Sequence, residues 1–228
     1  MMRPATPALH LVTDRRKKAT AQMNEDFYFY EPSKGHGLPH NPFNAIVGPR
    51  PIGWISTRNA EGRFNLAPYS FFNAFAYTPP IIGFASSGAK DTLRNVQTTG
   101  EFVWNLATMP LAAQMNKTSA SVPSDVSEFE LAGLMPAPST LVAAPRVAES
   151  PVSFECVVTQ ILQLADRHGN AMPNWIVFGE VVGAHIARRL LIDGIYDTAA
   201  AHPILRAGGT DAYAEITPEC MFSMARPA

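Results

Sequence analysis

IGWISTRNAEGRFNLAPYSFFNAFAYTPPIIGFASS, Ile52–Ser87, is a set of apolar runs separated by turn residues. Ile52–Arg58 is rich in β-branched and aromatic side chains, and Asn59–Gly62 (NAEG) is a hairpin signal. Phe64–Tyr77 then returns as a strand, interrupted at Pro68, because proline has no N–H to give a ladder. Within it Phe72, Ala74 and Phe75 read as core. Pro79 and Pro80 turn the chain into Ile81–Ala85 (IIGFA), a short buried strand.

Downstream the period changes. Asp91–Gly100 (DTLRNVQTTG) places Leu93, Val96 and Gln97 on one side and stops at a glycine, so it reads as a short helix with a left-handed glycine end. Glu101–Ala107 (EFVWNLA) is again a strand, and Pro110–Lys117 a second short helix with proline at its first position. Residues 118–150 read mostly as loop. Pro151–Asp166 is a long β-branched strand, RHGN a turn, and Asn174–Ala187 its hairpin partner. A final short helix is expected around Tyr196–Ala201. About six or seven strands with two or three short helices give a mainly β chain. No long helices alternate with strands, which argues against a doubly wound parallel sheet. A mostly antiparallel barrel closes such a set without leaving sheet edges.

Upstream lies a polar leader of residues 1–25, with a basic cluster at Arg15, Arg16, Lys17 and Lys18 that reads as a solvated tail. Residues 26–228 are read as one domain. The 228-residue chain is 46% hydrophobic and 16% charged, enough for a sizeable core and unlike a disordered chain. Its formal charge of −1 supplies no global field for nucleic acid or an acidic membrane. No apolar run reaches membrane-spanning length. The two cysteines, Cys156 and Cys220, are far apart and fit reduced thiols in a cytoplasmic protein, with a single disulfide still open.

Most catalytic and metal patterns are absent. His36 and His40 are four apart, but Gly37 and Pro39 between them prevent a shared helix face, and there is no HExxH or CxxC. GxSxG, GxGxxG and the Walker loop are missing too, and Cys156 sits mid-strand among apolar residues, where a thiol is usually inert. No catalytic residue and no metal site is therefore assigned.

SSGAKDTLRN, Ser86–Asn95, stands where a strand ends and a helix begins. Asp91 or Thr92 is placed to cap that helix, and free N–H groups of its first turn favour an anion. Lys90 adds a point charge, and Thr92 with Ser86 or Ser87 adds hydroxyl donors, as a dianionic phosphate needs. The plainer reading is a capped surface helix with a solvated lysine, and this stretch alone leaves both open. FNLAPYSFF just before it combines aromatic, small and polar residues around Pro68, which suits the polar edge and the faces of a planar heterocycle.

The run from GPRPIGWIST through G-x-x-NLAPYSFF and KDTLRN to TGEFVWN resembles the flavin reductase-like family, the FMN-binding split barrel, with its motifs in the family's order. GEVVGAHI and LRAGGTDAY extend the likeness, which covers about Asn41 to Ala214. The resemblance implies an antiparallel split β-barrel with a few short helices, a homodimer, and FMN held non-covalently near the interface. Carried over, Asn65, Ala67, Pro68, Tyr69 and Ser70 lie along the flavin ring, with mainly backbone contacts from Ala67, Tyr69 and Ser70. Ser86 and Ser87 approach the ribityl chain or phosphate, Lys90 and Thr92 hold the phosphate, and Asp91 shapes the turn. Trp54 and Ser56 are candidate ring neighbours. Arg50 is open between phosphate contact and ion pair, and His185 and Tyr213 are candidates for the partner side of the site. For His185 a hydrogen-bonded barrel histidine is an equal reading. The role of residues 118–150, a cover among the options, is open.

The implied activity is hydride transfer from NADH or NADPH to flavin N5, with reduced flavin passing to a monooxygenase partner or staying bound. Two alternatives stand beside it. One is a flavoredoxin-like electron carrier without efficient NAD(P)H oxidation. The other is a haem-handling split barrel without flavin, against which the KDT element argues.

Overall fold

The computed structural model describes residues 27–227, so the expected leader lies outside the described residues. Contacts divide the chain between Phe43 and Asn44. In the first unit Pro32–Lys34 forms a 3-10 turn, and Tyr28 Oη donates to the His36 carbonyl at 2.8 Å.

The second unit carries the strands β1 (Arg50–Pro51), β2 (Gly53–Arg58), β3 (Phe64–Tyr69), β4 (Phe72–Tyr77), β5 (Pro80–Ser87) and β6 (Glu101–Asn105). It continues with β7 (Pro136–Ala137), β8 (Arg146–Val147), β9 (Val152–Ala165), β10 (Ala171–Ile186), β11 (Leu191–Ile192), β12 (Ile195–Tyr196), β13 (Ile204–Gly208) and β14 (Ala212–Glu215). Its labelled helices are α1 (Asp91–Thr99), α2 (Ala112–Lys117) and α3 (Glu128–Ala132).

Seven strands form one antiparallel sheet in the order β3-β2-β6-β9-β10-β5-β4. Its two edge strands, β3 and β4, are joined through Ser70 and Phe71 alone. Laid flat, seven strands put those edges about 29 Å apart, whereas two linking residues span about 10 Å. The sheet must therefore curl until its edges face one another. Because β3 and β4 do not pair, the resulting barrel is split between them. The mainly β, antiparallel, split-barrel expectation holds.

Two cores follow from the curl. Inside lie Ile55, Phe84, Phe102, Cys156 and Val177, closed by Leu93 and Val96 of α1. Outside, Trp54 and Leu66 pack against Met115 of α2, Phe129 of α3 and Ile204 of β13. Strand β2 thus buries both faces, which explains why it reads as an almost unbroken apolar run.

Four expectations change. Strand β3 runs through Pro68 without a break, in continuous register with β2. Leu66, two residues before, shows why: its N–H points away from β2, to Glu128, so in an antiparallel ladder position 68 also faces outward and needs no N–H. Ala74 and Phe75 are exposed rather than core, because β4 is an edge strand, and Phe72 is half-buried, stacked on Trp104 with centroids 5.6 Å apart. On α1, Gln97 faces solvent, and the third inward residue is Asn95, whose Nδ2 donates to Thr57 Oγ1 at 2.9 Å. Gly100 does end that helix in the left-handed region, at φ 70°. Residues 118–150 are less irregular than expected, since they hold α3, β7 and β8.

Candidate functional site

A cavity of about 560 Å³ lies along the outer edge of β3. Asn65, Ala67, Pro68, Tyr69 and Ser70 form one wall, Ser87, Lys90, Asp91 and Thr92 one end, and residues 118–122 the opposite wall. Nine of the twelve residues expected at the site are brought together here. The other three lie behind it. Trp54 is fully buried on the far face of β2, where its Nε1 donates to Thr118 Oγ1 at 3.0 Å and so steadies a cavity residue. Ser56, also fully buried, bonds the Pro145 carbonyl at 2.5 Å and accepts from Asn105 Nδ2 at 3.1 Å. Ser86 is turned inward and donates to the Gly88 carbonyl at 3.0 Å, shaping the turn before α1. An edge strand stands between β2 and the cavity, so neither Trp54 nor Ser56 lines it.

The end of the cavity at α1 has an unusual cap. Lys90 occupies the N-cap position, and no side chain caps the helix, contrary to the expected Asp91 or Thr92 cap. Lysine has no acceptor to offer, so first-turn N–H groups stay available to an oxyanion. The Asp91 carboxylate is engaged instead by Arg94. Thr92 is buried, and its Oγ1 accepts from Asn65 Nδ2 at 2.9 Å, leaving the hydroxyl hydrogen free to donate. Among the described residues the Lys90 ammonium makes no salt bridge. This end therefore concentrates donors and positive potential.

At the other end the alternation of the β2–β3 ladder decides what is offered. The backbone of Ala67 and Tyr69 turns into β2, opposite Ile55 and Gly53. Pro68 and Ser70 turn outward. The Ser70 carbonyl is taken by Arg50 Nε at 2.9 Å, while Arg50 Nη1 binds the Val47 carbonyl at 2.6 Å and that of Asn44. Arg50 is thus an anchor of the turn at Ser70, at the opposite end of β3 from Thr92, and makes no ion pair among the described residues. Tyr69 packs beside Phe84, and its buried hydroxyl lies near Thr92 and Ser86 without reaching hydrogen-bond geometry to either. Burial pushes its pKa upward.

Arg94 and Glu128 are among the cavity residues that the sequence does not assign to the site; Glu128 falls inside the segment read as loop. Helix α3 around it was in fact signalled: EFELA ends in Gly133, which adopts φ 69°, a helix stop. Glu128 is buried and accepts the Leu66 N–H at 3.0 Å. Burial pushes its carboxyl above the ordinary range, and Asp91 adds to the push. His185 does not line the cavity; its Nε2 sits 2.5 Å from Glu155 Oε1. Tyr213 lies under the Arg206 guanidinium, 4.9 Å from ring centroid, in a smaller cavity that shares Pro68, Ser70 and Ser119 with the main one.

The sequence profile of the flavin reductase like domain matches residues 48–201. The chain belongs to the flavin reductase-like family. An uncharacterized protein of Aquifex aeolicus is 37% identical over 170 residues, 72% of this chain and 83% of that protein. Among solved structures, nitrilotriacetate monooxygenase component B of Bacillus cereus superposes with a TM-score of 0.73 at 31% identity, covering 82% of this chain and 98% of that one. The 2-nitrobenzoate 2-nitroreductase of Pseudomonas fluorescens gives 0.71 at 29%, covering 82% and 91%. The family's solved neighbours include oxidoreductases by name. No helix among the described residues is long and apolar enough to cross a membrane.

Proposed function

We propose that this chain is a cytoplasmic NAD(P)H-dependent flavin reductase that binds FMN in the β3 cavity. The observation that carries the reading is the uncapped start of α1, with Lys90 at the N-cap and Thr92 beneath it, at one end of a cavity whose wall is Asn65–Ser70. A phosphate supplies the acceptors that this helix start lacks. The cavity's volume of about 560 Å³ lies within the usual range for a cofactor-sized ligand.

In this reading Lys90, Thr92 and the first-turn N–H groups fix the phosphate, and Ser87 stands beside it. The Pro68 carbonyl and the Ser70 N–H, both off the ladder, meet the polar edge of the ring, and Arg50 holds the Ser70 turn in place. Thr118, tied to Trp54, closes the opposite wall. Bound flavin supplies the hydride chemistry at N5. The protein's share is orientation and access for the nicotinamide, which demands no acid or base from the chain.

We also propose that two copies associate. Phe75 and Tyr77 on edge strand β4 are 57% and 95% exposed, aromatic side chains on an unpaired sheet edge that a second copy would cover. Reduced flavin would then pass to a monooxygenase, a role supported by the likeness to a monooxygenase component B. Consumption of NADH and NADPH with added FMN tests the activity. Turnover with either nucleotide is expected; flavin binding without nucleotide oxidation would instead make the protein an electron carrier.

A further inference from the structure

Glu128 is a buried carboxylate in a cavity whose far end is built for a dianion. Among the described residues no lysine or arginine pairs with it. Its Oε2 accepts the Leu66 N–H, and its own backbone N–H also turns to the carboxylate. An ionised carboxylate has about four acceptor positions, so part of this capacity is unfilled. Leaving it unfilled in a buried place is costly, the more so with Asp91 nearby.

The position along β3 says what would fill it. Asn65, tied to Thr92, marks the phosphate end, and Pro68–Ser70 the ring end. Glu128 is attached to Leu66, between them. With a strand rise of about 3.3 Å per residue, Leu66 stands roughly 10 Å from Tyr69 and one residue from the phosphate end. Between ring and phosphate a flavin mononucleotide carries a chain of hydroxyls, each a donor. Resting on the flavin reading of this cavity, we infer that Glu128 is a ligand-binding residue whose carboxylate accepts hydrogen bonds from the polyol chain of the flavin. It would make the site selective for the hydroxylated chain itself, independently of the contacts to ring and phosphate.

Two ligands separate this role from mere support of β3: FMN, and a flavin carrying its phosphate on an unhydroxylated pentyl chain. Both are titrated by flavin fluorescence into wild type, Glu128→Gln and Glu128→Ala. Glutamine keeps an acceptor for the Leu66 N–H and so carries the test if the alanine variant unfolds. Wild type should prefer FMN by roughly tenfold, the scale of a charge-assisted hydrogen bond. Glu128→Gln should lose most of that preference while its affinity for the pentyl ligand stays unchanged. Equal losses for both ligands, or no loss for either, would overturn the inference and leave the flavin reading intact. A wild type that binds neither ligand overturns both.

Discussion

At the residue scale, Lys90 decides between a site and a surface helix. From Ser86–Asn95 alone the capped surface helix is slightly favoured over a site, because the sequence offers Asp91 and Thr92 as caps. Neither caps; Asp91 is held by Arg94 and Thr92 by Asn65, so the helix start stays open. Lys90→Ala should therefore weaken FMN binding by about 1–3 kcal/mol while riboflavin, which has no phosphate, binds as before. Equal loss for the two flavins in a fluorescence titration would remove Lys90 from the phosphate end. Nine of the cavity residues were legible because they sit in contiguous motifs. Trp54 and Ser56 were misplaced because a motif gives adjacency along a strand, whereas the strand's depth in the sheet decides what it touches. Buried Cys156 conforms to the sequence reading: burial, with the Glu155 charge beside it, pushes its thiol far up and out of reactive range.

At the element scale, the loop 139–145 hangs on one carboxylate. Glu155, fully buried on β9, accepts the N–H groups of Thr140, Leu141 and Val142 at 2.7, 2.5 and 3.1 Å and faces His185. Desolvation alone would raise its pKa, but these hydrogen bonds outweigh it and hold the carboxyl down at about 2, against an ordinary 4.5. A depressed carboxyl adds stability above its unfolded value, and that stability is lost as pH falls from 4.5 through about 2. Glu155→Gln should cost about 2–3 kcal/mol at neutral pH and flatten the acid side of the stability curve, read by denaturant melts across that window. The sequence could not announce this, since the four partners lie 13 to 30 residues away. Packing inside the barrel makes a second claim on elements. A Cβ on Gly179 of β10 would stand 2.4 Å from Phe102 Cε1 and 3.1 Å from the Cys156 Cβ. Gly179→Ala is expected to destabilise by about 1–3 kcal/mol, and an unchanged melting temperature would show the interior looser than described.

At the scale of the whole molecule, the hairpins and their turns were readable because local apolar alternation and turn residues specify them. The closure was less so. It follows from the two-residue link Ser70–Phe71 between the edge strands, whereas the sequence places the interruption of Phe64–Tyr77 at Pro68. The same link leaves β4 an edge with exposed aromatics, and Phe75→Asp should convert a two-chain species into single chains in sedimentation velocity. An unchanged sedimentation coefficient would place the interface elsewhere. All of this rests on the cavity along β3 being a flavin site. The most direct measurement is an equilibrium titration of the purified chain with FMN, followed by flavin fluorescence. Saturable binding of one FMN per chain is the predicted result; fluorescence that stays that of free FMN at every protein concentration would contradict it.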